Sequence, residues 1–442
     1  MTSSPGRRAW RAQLAHCIDD PAQVGGDAAF EYLPDGVIVT QGEYIEAVGP
    51  ADRIIPELSP DIELHHLPEA IITPGFVDTH VHYSQLGMMG AYAGELLTWL
   101  EEAALPAEMA FADPVHARSI AEGFLDDLLA NGTTTALVFP TVHPESVDAF
   151  FEAALHRNLR MITGKVLMDQ NAPTGLMDTA AESERQTRDL IERWQGRGRL
   201  GYAVTPRFAL TSSREQLAVA GRLLEAFPDV LLHTHLCENA DEITAVAQAF
   251  PEYDDYLSVY RAHGLVGDRS VFAHSIHLNA ADYQCLAHHD AAVAFCPMSN
   301  LALGSGLFDL RRATEHRLRI GLGTDIGAGN SLSQLRCVDE AHKVCKLQGQ
   351  SLEPIQALYL MTLGGARALR LDQRIGSLTT GREADFVILD LEGTPALRHR
   401  SVPPRDISER LFTLFVLGDD RCVQQTVAGG VIVHNRPSAS VS

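Results

Sequence analysis

The 442-residue sequence is short of several things, and each shortage excludes a class of protein. It has no apolar run approaching the roughly 20 residues that a membrane-spanning helix needs. Arg7 and Arg8 near the start are followed by no apolar stretch of the signal-peptide kind. The seven cysteines, at 17, 237, 285, 296, 337, 345 and 422, contain no Cys-x-x-Cys pair, so neither a disulfide framework nor a thiolate zinc cage is expected. Basic residues are scarce: 35 Lys and Arg stand against 57 Asp and Glu, a net charge of −22. That balance repels polyanions and argues against nucleic acid or an acidic membrane as partner. No repeat of solenoid period is found, and low complexity is confined to a short serine-containing tail after Pro437. A protein of the reducing cytoplasm acting on a small molecule is expected.

What is present is a globular composition, 45% hydrophobic and 21% charged, with enough apolar residues for a large core and a smaller one. Eight short β-branched runs alternate with stretches of helical period: Ile71–His82, Thr133–Phe139, Met161–Met168, Leu200–Phe208, Val230–Leu236, Val271–Ile276, Val293–Ser299 and Leu318–Ile326. Between them, Ile120, Phe124 and Leu128 mark one face of a helix, and Ser212 with Glu215 reads as a capping box opening another. This is the α/β pattern of a (β/α)₈ TIM-type barrel, expected over residues 71–374. The flanks differ. Pieces such as Gly36–Thr40, Tyr44–Val48, Asp385–Leu389 and Val423–His434 alternate like strands, too few at either end to stand alone. Residues 1–70 and 375–442 are therefore expected to build one small composite β-sandwich domain.

Barrel enzymes carry their chemistry at the C-terminal ends of the strands, and chemically capable residues fall there: His80 and His82, Arg207, His235, His274 and Asp325. In Asp-Thr-His-Val-His, residues two apart share a strand face, so both imidazoles can grip one ion. By itself His-x-His also fits two packed side chains. With His235, His274 and Asp325 at other strand ends, neutral imidazoles and a carboxylate suit Zn²⁺ or Fe²⁺ in an open, catalytic site. Cys237 is a further candidate ligand, His233 is expected in the core, and His277, His288 and His289 on the surface or in packing.

These motifs carry a resemblance. Thr-Pro-Gly-Phe-Val-Asp-Thr-His-Val-His at 73–82, His235, His274, Gly-Thr-Asp ending at Asp325 and Ile-Gly-Ser-Leu-x-x-Gly-Arg-x-Ala-Asp at 375–385 resemble the metal-dependent amidohydrolase superfamily. The match runs from about residue 30 to 435. Within it, His82-Tyr-Ser-Gln85, Leu96-Leu-x-Trp99-Leu, Pro106-Ala-Glu108, Asn131-Gly-Thr-Thr-Thr135, Thr205-Pro-Arg-Phe208 and the tyrosines of Pro251–Tyr260 are similar to the guanine deaminases. The resemblance implies one metal ion per subunit, Zn²⁺ with Fe²⁺ as the alternative, held by His80, His82, His235 and Asp325. Lys165 lies in a stretch resembling single-metal deaminases, although a lysine there also suits a two-metal site. The resemblance further implies hydrolysis of guanine to xanthine and ammonia, and a homodimer.

The chemistry assigns parts. Glu238, one turn beyond His235, is the candidate proton donor to the ring nitrogen, with a solvated loop carboxylate as the plainer reading. His274 would hold the attacking water and Asp325 accept its proton, as the resemblance implies; a satisfied core histidine is the alternative for His274. Arg207 and Gln85 can address a purine carbonyl and Phe208 can stack on the ring. The plainer readings are an ion pair for Arg207 and a core position for Phe208. The long segment Tyr83–Pro114, with Leu96, Leu97, Trp99 and Leu100 as an apolar face, is expected to cover the site and favour a flat base. Ser275, where a Gly is common, and Met298 depart from the pattern and leave the exact heterocycle open. An aminohydrolase of an oxidised guanine, a pterin or a triazine is one alternative, and a catalytically silent assembly protein another.

Overall fold

A computed structural model describes residues 6–91 and 94–437; the serine-containing tail lies outside them. The first segment forms β1 (Arg7–Cys17), β2 (Phe30–Gln41), β3 (Tyr44–Pro50) and β4 (Glu63–Pro74). The middle of the chain forms β5 (Phe76–His82), β6 (Thr133–Phe139), β7 (Arg160–Thr163), β8 (Val166–Leu167), β9 (Gly201–Pro206), β10 (Leu231–Leu236), β11 (Ser270–His274), β12 (Ala292–Phe295) and β13 (Arg319–Leu322). The end forms β14 (Phe386–Asp390), β15 (Val423–Ala428) and β16 (Val431–Asn435).

Strands β5, β6, β7, β9, β10, β11, β12 and β13 neighbour one another in that order, all parallel, with β8 added beside β9. Helices cover the outside, so these strands are buried on both faces and read as apolar runs rather than alternation. The circle is completed at its C-terminal end. Asp325 N donates to His80 O at 2.9 Å, and His82 N to Ile326 O at 3.0 Å. The same hydrogen bonds that close the barrel bring the first and last strands' functional residues together.

The terminal strands make a separate mixed sheet in the order β16, β15, β14, β4, β1, β2, β3. β14 pairs β4 antiparallel, so both ends of the chain join in one seven-stranded sheet. Trp10, Leu14, Ile38, Ile72, Phe386 and Ile388 form a buried cluster of their own on it. The sheets are tied by Glu383, which accepts from Arg160 Nε and from Arg199 Nη2, both at 2.7 Å, while Arg199 also pairs with Asp385.

Several runs differ in detail from expectation, among them Leu318–Ile326, which is a strand only over Arg319–Leu322. Ile71–His82 is two strands that part at Gly75, where a Cβ would lie 2.1 Å from Thr134 Oγ1 and only glycine fits. Met161–Met168 parts at Gly164, where a Cβ would lie 1.8 Å from the carbonyl oxygen of Ala203. Val293–Ser299 turns into the helix Pro297–Ala302 after Phe295. The helix Arg214–Ala226 is capped by Ser213, whose side chain accepts from Gln216 N, and not by Ser212, which donates to Leu167 O at 3.2 Å. The expected cover is present as helix Leu96–Trp99, a π-turn Leu100–Ala104 and helix Leu105–Met109. Among the described residues no helix is long and apolar enough to cross a membrane.

Candidate active site

His80 and His82 close β5, His235 lies one residue before the end of β10, and His274 ends β11. Asp325 lies just past β13. His274 and Asp325 hold left-handed backbone conformations, φ +66° and +48°. Such conformations cost about 1–3 kcal/mol each in a non-glycine residue. They are retained because the surroundings hold them: Asp325 N is bonded to His80 O, and Gly329 N donates to Asp325 O at 2.6 Å.

The ring nitrogens converge. Nε2 of His80 and Nε2 of His82 are 3.2 Å apart, and Asp325 Oδ1 is 3.1 Å from the first and 3.3 Å from the second. Ligand atoms about 2.0–2.1 Å from a tetrahedral ion lie about 3.3 Å from each other, so the spacing fits a common ion. His80, His82 and His235 place ligand atoms within 4.8 Å of one another, as do His80, His274, Cys296 and Asp325. His235 Nδ1 donates to Arg207 O at 2.7 Å, which leaves its Nε2 bare. Burial pushes His80 down and His82 and His235 well down, so the imidazoles are neutral and offer lone pairs. Burial opposes ionisation of Asp325, but His80, His274 and His82 outweigh it and hold its carboxyl well below the usual carboxylate range.

Glu238 is 3.4 Å from His274 Nε2 through Oε2. Its loop is held from behind: Glu242 accepts from Glu238 N at 2.9 Å, from Asn239 N at 3.2 Å and from Tyr256 Oη at 2.8 Å. Burial, then the charges of Asp325 and Glu242, raise Glu238 well above the ordinary range, which favours its protonated form. His274 Nδ1 donates to Asn300 Oδ1 at 2.8 Å, leaving Nε2 free to accept.

Glu238, His274, His82, His235 and Asp325 face a cavity that is also lined by Gln85, Trp99, Arg207 and Phe208. Arg207 is both things the sequence left open, an ion-pair partner and a cavity residue. Its Nη1 donates to both oxygens of the buried Glu108, at 2.8 and 2.7 Å. Gln85 Nε2 donates to the same carboxylate at 2.9 Å, and its Oε1 accepts from Gly327 N at 3.0 Å.

The amidohydrolase family profile matches residues 71–433. The chain belongs to the amidohydrolase family. It is 46% identical over 423 residues to the guanine deaminase of Escherichia coli (strain K12), covering 96% of each chain. It is also similar to the crystal structure of guanine deaminase from Bradyrhizobium japonicum, with TM-score 0.95 and 36% identity over 98% of this chain and 100% of that one. A guanine deaminase from C. acetobutylicum with bound guanine in the active site superposes with TM-score 0.88 and 26% identity, over 97% of this chain and 100% of that one.

Several residues of this amidohydrolase site escaped the sequence reading. Glu108 stood inside a recognised motif with no role attached. Glu242 is announced by Asn239-Ala-Asp-Glu242, a capping box that the structure contains. Asn300 sits beside a single imidazole, which no spacing reveals, whereas His233, expected in the core, is buried there against His80. Cys237 is not among the clustered ligand atoms; the cysteine that is, Cys296, directly follows β12. Lys165 is paired with Asp178 and donates to Val166 O at 3.3 Å, so it has a structural partner. Ser275 has φ +52°, a conformation natural to glycine, which accounts for the glycine common at that place.

Proposed function

We propose that this chain hydrolyses guanine to xanthine and ammonia. The observation that carries the reading is one cavity bounded by a buried Glu238 whose carboxyl is raised well above the ordinary range, a bare His274 Nε2, an ionised Asp325 and the guanidinium of Arg207. His80, His82, His235 and Asp325 would hold one ion, which we take as Zn²⁺; Fe²⁺ suits the same donors. When bound, the ion supplies a water acidic enough to lose a proton near neutral pH.

The chain's own residues do the rest. Arg207, which among the described residues uses Nη1 alone against Glu108, keeps donors for the purine carbonyl, with Gln85 beside it and Phe208 and Trp99 against the ring faces. That pose turns the amino-bearing carbon toward the histidines. Glu238 gives its proton to the ring nitrogen next to that carbon, while Asp325 and His274 take one from the attacking water and pass it to the departing amine. The second water proton returns to Glu238 as the new carbonyl forms, and ammonia leaves.

Residues 71–374 would carry this chemistry, with 1–70 and 375–442 as the supporting domain; β4 enters the terminal sheet before Gly75, which supports a division near that glycine. Seven free cysteines support a reducing cytoplasm as its place of action, and the resemblance supports a homodimer.

The test is ultraviolet detection of guanine converting to xanthine, before and after chelation and after return of Zn²⁺ or Fe²⁺. Turnover lost on chelation and restored by metal is expected. No release of ammonia from guanine, with release from another amino-heterocycle, would overturn the substrate.

A further inference from the structure

His233 precedes His235 by two residues on β10, so it shares that strand face one step deeper in the barrel. It is fully buried. Its Nε2 lies 2.7 Å from Nδ1 of His80, with the two rings nearly perpendicular at 85°. On its other side Nδ1 has no hydrogen-bond partner among the described residues, and the nearest ring is Phe139, with centroids 4.3 Å apart.

A neutral imidazole carries one proton, and a nitrogen that grips a metal must be bare. Two of the imidazoles facing the cavity dispose of their proton on the remote nitrogen: His235 gives it to the Arg207 carbonyl and His274 to Asn300. For His80 the remote nitrogen meets His233. Were His233 the donor, the proton of His80 would sit on Nε2, facing Asp325 at 3.1 Å and filling the place of an ion. With an ion present the bond can run only from His80 to His233. His233 then keeps its own proton on Nδ1, an N–H with nothing to bond. A residue selected for core packing alone would be apolar there, because a buried unpaired donor is unfavourable.

We propose that His233 is a positioning residue for the metal centre: by accepting the Nδ1 proton of His80 it selects the tautomer of His80 that binds the ion and fixes its ring plane. The inference rests on the metal reading above. It concerns one ligand's orientation and not the substrate.

The experiment compares the parent with His233→Leu, similar in bulk without an acceptor, and His233→Gln, whose amide oxygen can take the same proton. Each protein is stripped of metal, its thermal unfolding is recorded, and its Zn²⁺ affinity is measured by competition with a chromogenic chelator. His233→Leu is expected to bind Zn²⁺ about 10–100-fold more weakly, with the metal-free form unfolding no earlier than the parent, and His233→Gln to stay near the parental affinity. Unchanged affinity in His233→Leu, or an equal loss in His233→Gln, overturns the proposal. So does a metal-free His233→Leu that unfolds well below the parent, which would assign His233 to packing. If the leucine variant is not recovered, His233→Met makes the same comparison. A parent that binds no Zn²⁺ stoichiometrically overturns the metal reading itself, and this is seen before any variant is compared.

Discussion

Both carboxylate oxygens of Glu108 lie within 2.8 Å of Nη1 of Arg207, and the same carboxylate accepts from Gln85 at 2.9 Å. One buried acid from the cover segment therefore holds the two polar side chains that frame the far side of the cavity. Replacing it with an amide keeps the shape and removes the charge. Glu108→Gln is expected to lose about 1.5–3 kcal/mol of interaction with Arg207, read as a roughly 10- to 150-fold fall in kcat/KM for guanine carried mainly by KM. Steady-state kinetics check this; an unchanged KM would mean that Arg207 needs no such anchor.

Glu238 is assigned the proton transfers. Glu238→Gln should retain its metal, because the ligand cluster does not include it, and should turn over at least about 10²-fold more slowly. Metal analysis beside a turnover assay separates the two effects. Normal turnover in this variant would remove Glu238 from the reaction.

The pH dependence follows from the same carboxyl. Its folded-state value is raised by burial and then by Asp325 and Glu242, so the native protein favours the protonated form. The stability it contributes is fully present below the ordinary glutamate value of about 4.5 and is lost as pH rises through the folded value. Glu238→Gln cannot ionise. Its melting temperature should therefore gain on the parent's as pH is raised above that ordinary value, and the parent's turnover should decline as pH passes the folded value. Parallel melting profiles would contradict the assignment.

Glu383 accepts from two buried arginines, Arg160 and Arg199, at the junction of barrel and terminal sheet. Removing one member of such a cluster leaves charge buried without its partner, which costs about 3–5 kcal/mol. Glu383→Ala should lower the melting temperature clearly while leaving KM for guanine near the parental value, since Glu383 is remote from the cavity lining. A melting curve that coincides with the parent's would show the junction to be dispensable.

Leu96, Trp99 and Leu100 of the cover line the cavity, and Trp99 is only 5% exposed. A flat base fits beneath such a cover better than a base bearing a sugar. Guanosine should be turned over far more slowly than guanine in parallel assays, and Trp99→Ala should narrow the gap. Equal rates for the two substrates would show that the cover does not select.

Much of the site was legible before any coordinates because metal chemistry restricts residue types. Few side chains ligate, and their placement at strand ends follows from the barrel's repeat. The groups that were not legible act through a neighbour. Arg207 could be read as a donor, but not that Glu108, 99 residues away, would anchor it. His233 has the parity of His235 and looks like core, since depth along a strand shows only once the strands surround a common axis.

The sequence alone determined the eightfold alternation, the pooling of both chain ends, and the set of side chains able to hold an ion, because periodicity and donor chemistry are local properties. Tertiary structure decided where strands stop and how the site is tuned. Two runs that look continuous part at Gly75 and Gly164, where a neighbouring strand occupies the space of a side chain. The Glu238 carboxyl is raised because distant segments exclude water from it and place Asp325 and Glu242 nearby. Desolvation and the proximity of like charges depend on what surrounds a residue in space, and no local stretch of sequence contains that information.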